Sequence, residues 1–285
     1  MSIQGLNIIG ESINDSVPST HQFYEENQWD SISELAHFQE ENGAAYLDVN
    51  VGTRPLEVMQ KAVETVLTAS KLPLSIDSPD YDIAKTGLNC YDSKRGKPIL
   101  NSISPLRTQM FDLYSILPFR PILLISEFLD ENGNGQPCRT ADETFQAAQQ
   151  LFNKAKEYGI PNEDMIFDPG IAPIGTDFEG NLARLIGALK KIQDTPEMNG
   201  VHASVGLSNF TVMLPARTKS GELVKGPLES AFLTIAMPLG LDFVIGSVKR
   251  HYELLEADHP AMQCVSDCIK LGGFESLSRV RQFYK

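Results

Sequence analysis

Seven short polar side chains occupy one kind of place in this sequence. Glu11, Asn50, Asp77, Asn101, Glu127, Asp168 and Asn209 each end a run of β-branched or aliphatic residues. The set holds carboxylates and carboxamides, with no histidine triad, cysteine nucleophile or lysine at such an end. Converged on one pocket, these groups would grip a flat nitrogen heterocycle. A carboxylate accepts from an exocyclic amino group and a neighbouring ring N–H as a two-point clamp, and amides, which both donate and accept, cover the other ring atoms. An analogue lacking one partner would leave a buried polar group unpaired at ~1–3 kcal/mol.

Two other uses of the same residues stay open. An Asp or Asn after a strand is often the N-cap of the next helix. Glu11, Asp77, Glu127 and Asp168 could instead ligate Mg²⁺ or Mn²⁺. Asp48 and Asn50 argue against caps alone: two apart on one strand, they face the same side. A pterin fits the clamp well, because its 2-amino group lies beside N3–H and leaves ring nitrogens and the O4 carbonyl for amides.

The elements that must position these residues follow a repeating register. Strand-like runs cover 6–13, 46–51, 74–78, 99–104, 121–128, 165–169, 201–208 and 242–248. Helix-like stretches fall between them at 31–41, 56–70, 81–91, 106–117, 141–158, 178–193 and 228–239, and a helical tail covers roughly 252–271 and 276–283. Thr140-Ala-Asp-Glu143 reads as a capping box, Pro55 and Pro227 as first-turn prolines, and Gly43, Gly159 and Gly240 as helix stops. Strands separated by helices must pair in parallel through right-handed crossovers. Eight such units close most economically as a (β/α)8 TIM barrel, with every strand's C-terminal end at one mouth. An open doubly wound sheet is the runner-up, but no Gly-x-Gly-x-x-Gly loop follows the first strand. The irregular stretches 130–139 and 210–227 read as a polar turn cluster and as a long loop on the functional face.

Composition bounds the reading. A chain of 285 residues with 42% hydrophobic content can bury one barrel core and is not disordered. We expect a single domain over 1–285, with the helical tail at about 251–285. A net charge of −13 argues against nucleic acid and anionic membrane surfaces as partners. No signal-like or membrane-spanning run is visible, and Cys90, Cys138, Cys264 and Cys268 read as reduced thiols of a cytoplasmic protein.

The motifs Ile9-Gly-Glu-Ser-Ile-Asn14, Asp48-Val-Asn-Val-Gly52, Ser75-Ile-Asp-Ser78, Leu100-Asn-Ser102, Phe167-Asp-Pro169 and Gly206-Leu-Ser-Asn209 run in order along nearly the whole chain. Together they resemble the pterin-binding methyltransferases, specifically the methyltetrahydrofolate:corrinoid methyltransferases. The resemblance implies that Asp77, Asn101 and Asp168 contact the pterin ring and that Asn209 bonds N5, the atom carrying the methyl group. It places Asn14, Asp48 and Asn50 around the same pocket, to which the strand-end convergence also brings Glu11. Ser104 stands where that pattern would hold another amide, and the 210–227 loop is longer than usual. Dihydropteroate synthase is the main alternative, since Thr53-Arg-Pro55 is similar to its flexible loop. Its strand-seven lysine segment and terminal Arg-x-His are replaced here by Gly206-Leu-Ser-Asn209 and Ser247-Val-Lys-Arg250. A non-catalytic pterin-binding barrel is the third reading.

The implied reaction exchanges a methyl group between N5 of tetrahydrofolate and the cobalt of a corrinoid. Asn209 and Asp168 are the expected catalytic residues. No protein-bound metal is expected. The sequence has no Asp-x-His-x-x-Gly corrinoid motif, so cobalamin or a corrinoid protein must be supplied by a partner. The resemblance also implies a homodimer.

Overall fold

A computed structural model describes residues 3–285; Met1 and Ser2, included in the expected domain, lie outside the described residues. Eight parallel strands form one sheet: β1 (Asn7–Asn14), β2 (Tyr46–Asn50), β3 (Leu74–Asp77), β4 (Ile99–Ile103), β5 (Arg120–Leu124), β8 (Ile166–Asp168), β9 (His202–Ala203) and β10 (Phe243–Gly246). The remaining strands, β6 (Glu127–Leu129) and β7 (Gly135–Pro137), make a separate antiparallel hairpin. The eight-stranded sheet runs β10-β1-β2-β3-β4-β5-β8-β9, and parallel bridges Ala203–Leu241 and Gly206–Ile245 join its ends. The architecture is a (β/α)8 TIM barrel.

Helices α1 (Pro18–Glu25), α2 (Trp29–Glu41), α3 (Leu56–Ala69), α4 (Tyr81–Cys90), α5 (Ala141–Glu157), α6 (Asn181–Gln193), α7 (Leu207–Phe210) and α8 (Lys225–Ala236) fill the crossovers, and α9 (Pro260–Leu271) and α10 (Gly273–Tyr284) form the tail. The capping box at the start of α5 is formed, with the Thr140 hydroxyl accepting from Glu143 N and the Glu143 carboxylate accepting from Thr140 N. No helix among the described residues is long and apolar enough to cross a membrane.

Strand alternation builds the site. Ile9, Ile99, Ile122, Ile166 and Phe243 pack together as an apolar plug inside the barrel. Two residues further along their strands stand Glu11, Asn101, Leu124, Asp168 and Ile245, on the same inward face but nearer the mouth. The plug seals the lumen below, and Glu11, Asn101 and Ile245 of the layer above it line the pocket at the mouth.

Several expected elements differ. The fifth barrel strand ends at Leu124 instead of reaching 128; Glu127 begins the hairpin and does not end a barrel strand. The polar 130–139 stretch holds that hairpin's turn and its second strand, and in the turn Asp130 Oδ1 accepts from the backbone N–H groups of Asn132 and Asn134. The expected 106–117 helix is a 3₁₀ stretch, Thr108–Ser115. Strand seven stops after two residues, because the chain turns into α7 at Gly206. The tail's first helix starts only at Pro260, whose ring suits a first helical turn.

Candidate active site

Glu11, Asn14, Asp48, Asp77, Asn101 and Asn209 line one cavity of about 220 Å³ at the mouth, with Ser16, Val17, Gly206 and Ile245. Six of the eight expected site residues are thus brought together. Asn50 stands just behind them: its amide donates to Asp77 Oδ2 at 2.9 Å while its Oδ1 accepts from Gly52 N at 2.8 Å. A larger depression of about 300 Å³ is lined by Ile3, Leu6, Ile8, Val248, Arg250 and Tyr252 among others, and by none of the eight expected site residues.

The floor is an acid pair inside an amide cage. Asp48 is fully buried; its Oδ1 accepts from Ser75 Oγ at 2.7 Å and from Asn101 Nδ2 at 3.5 Å, and its Oδ2 has no partner among the described residues. Asp77 accepts from Asn50 and, at 3.5 Å, from Asn14. Burial raises the proton affinity of both carboxyls, and the charge of Asp77 raises Asp48 further. Like charges so close oppose each other's ionisation: Asp48 is pushed up the more strongly, while Arg107 favours charge on Asp77. The pair offers a carboxylate to ring N–H groups. The amide hydrogens aimed at Asp77 Oδ2 favour an anion there and repel a cation. Among the described residues, no group of three or more His, Cys, Asp or Glu side chains is placed to hold a metal ion.

Opposite this pair sits Asn209, on α7 and not at a strand end. Gly206 makes its position possible, since a Cβ there would come within 2.9 Å of Asn209 Nδ2. Among the described residues, no side-chain hydrogen bond holds its carboxamide, which lines the cavity. The neighbouring Ser208 hydroxyl donates to Glu11 Oε1, tying α7 to β1.

Asp168 lies beside this lining and outside it. It is 7% exposed, and its Oδ1 accepts from Gly170 N at 2.7 Å. Burial pushes its carboxyl up to about 6, against the opposing pull of the Gly170 N–H and the Arg184 charge. Arg184, on α6 and 6% exposed, holds the turn after β8: its guanidinium donates to Pro169 O at 2.8 Å, Gly170 O at 3.0 Å and Thr144 Oγ1 at 3.0 Å. Arg184, Ser208 and Arg107 are not among the residues that the sequence singles out. Arg184 carries no signal there, because an arginine in an amphipathic helix reads as a solvated face. Ser208 does stand inside the Gly206–Asn209 motif, and that neighbourhood is the signal that could have found it.

A closed (β/α)8 barrel with an acid-and-amide pocket at its strand ends defines the structural class. Residues 12–246 match the pterin binding enzyme family, and the chain belongs to that family. A methylcorrinoid:tetrahydrofolate methyltransferase of Eubacterium limosum is 27% identical over 244 residues, covering 84% of this chain and 83% of that protein. The fold is shared with a dihydropteroate synthase from Thermus thermophilus, at TM-score 0.56 and 17% identity over 95% of each chain. It is shared equally with the Yersinia pestis enzyme bound to a pterine-sulfa conjugate, at TM-score 0.57 and 14% identity over 92% of each chain.

Proposed function

We propose that this chain is a methyltransferase that moves a methyl group between a corrinoid and N5 of tetrahydrofolate. The observation that carries this reading is the free carboxamide of Asn209 facing the Asp48–Asp77–Asn101 floor across one cavity. The floor binds the ring by complementary donors and acceptors, with Asp168 closing the clamp from β8. Asn209 meets N5, where an amide can donate as the C–N bond breaks or accept from the N–H as it forms. The similarity to the Eubacterium limosum enzyme supports the corrinoid as methyl partner. The cavity suits a bicyclic ring, which leaves the rest of the folate and the corrinoid in the open mouth. The corrinoid comes from a partner protein or as free cobalamin, and we extend the proposal to a homodimer.

The test is to mix the protein with methylcob(III)alamin and tetrahydrofolate and follow the cobalt absorbance. The reading expects loss of the methyl–cobalt band with formation of methyltetrahydrofolate. No spectral change, together with condensation of a pterin pyrophosphate and p-aminobenzoate, would assign a dihydropteroate synthase instead.

A further inference from the structure

The reaction proposed above leaves one atom unplaced. When N5 of tetrahydrofolate takes a methyl group it must lose its proton, and a carboxamide cannot carry that proton away. Three titratable side chains line the cavity: Glu11, Asp48 and Asp77. The two aspartates belong to β2 and β3 and are engaged by Asn50, Ser75 and Asn101. Glu11 belongs to β1, which pairs with β10, and β10 is bridged to Gly206 just before α7. It therefore stands in the quarter of the mouth that holds Asn209, and the residue next to Asn209 donates to it.

The backbone is built to present this residue. The register between β1 and β2 shifts between Gly10 and Ile13, a bulge that re-aims the side chains within it. Two fully buried side chains support the distortion. Gln39 Oε1 accepts from Ser12 N at 3.0 Å, and Thr20 Oγ1 donates to Ser12 O at 2.7 Å. Gly10 is required there, since a Cβ would come within 2.5 Å of the Gln39 carboxamide oxygen.

Resting on the proposed function, we propose that Glu11 is the proton carrier for N5. As the N5 lone pair bonds to the methyl carbon, the methyl–cobalt bond breaks with its electron pair left on cobalt, and the N5 proton passes to the Glu11 carboxylate. In the reverse direction the Glu11 carboxyl returns that proton to N5 as the N–CH₃ bond breaks. Burial raises the proton affinity of Glu11, and the Ser208 hydroxyl and Arg250 restrain it. Arg250 is itself shared with Glu229, its Nε lying 3.4 Å from Glu229 Oε2, while Thr211 holds the other Glu229 oxygen. The buried Tyr252 hydroxyl lies in the same field. Glu11, Glu229, Tyr252 and Arg250 therefore set the ionisation of this corner together.

Glu11→Gln separates a proton carrier from a strut, because the amide oxygen still accepts from Ser208 but takes no proton. In single-turnover methyl transfer from methylcob(III)alamin to tetrahydrofolate, this variant should keep tetrahydrofolate affinity within roughly threefold and lose ~100-fold or more in rate. Wild type should show a rise of rate with pH that Glu11→Gln lacks, and Glu11→Asp should recover part of the rate. A Glu11→Gln rate within about threefold of wild type, with the same pH profile, overturns the assignment and leaves the methyltransferase reading intact. A loss confined to affinity also overturns it, making Glu11 a binding residue. Absence of methyl transfer by wild type itself overturns the reading and this inference with it.

Discussion

Asp168→Asn should stabilise the protein at neutral pH while weakening its site. The buried carboxyl titrates at about 6 in the folded protein, against 3.8 ordinarily. The folded chain therefore holds this proton more tightly than the unfolded chain, and stability falls as pH rises from 3.8 towards 6. The full difference corresponds to about 3 kcal/mol. Asparagine carries no ionisation penalty and can still accept from Gly170 N, although Arg184 then loses its nearby anion. We expect Asp168→Asn to gain ~1–3 kcal/mol over wild type at about pH 8 and almost nothing at about pH 4, measured by urea unfolding across that range. Tetrahydrofolate affinity, measured by calorimetry at about pH 8, should fall at least tenfold through loss of the anionic acceptor. A stability difference that is flat with pH, or larger on the acid side, would refute the reasoning.

Two further substitutions follow from the supporting contacts. Arg184→Met strands the Pro169 and Gly170 carbonyls and the Thr144 hydroxyl, and should cost ~2–4 kcal/mol, seen as a Tm lower by roughly 5–10 °C. Gly206→Ala meets no backbone strain at φ −74° but pushes on Asn209 Nδ2. Methyl transfer should slow by about tenfold with Tm unchanged to within roughly 2 °C.

The barrel was legible because each strand run is short, aliphatic and followed by a helical period, and because parallel pairing forces all polar ends to one mouth. The cavity-lining residues were legible for the same reason. Asn209 lines the same cavity as the strand-end residues but from α7, since nothing in Val201–Gly206 marks where pairing with β8 and β10 lapses. Glu127 failed differently. Its run continues apolar to Phe128, and only the Asp130 turn, which draws residues 127–137 into a hairpin, removes it from the barrel. Helix α1 (Pro18–Glu25) went unseen because it is only eight residues long and largely polar. The upward push of Asp77 on the Asp48 carboxyl depends on lateral strand order and depth, which no linear spacing encodes.

The central claim is that amide and acid groups from β1 to β4, β8 and α7 hold a pterin ring with N5 towards Asn209. A crystal structure with tetrahydrofolate bound tests it directly. The account expects Asp77, Asn101 and Asp168 at hydrogen-bond distance from the ring and the Asn209 carboxamide within ~3.2 Å of N5. A ring bound elsewhere, or turned so that N5 faces away from Asn209, would contradict it.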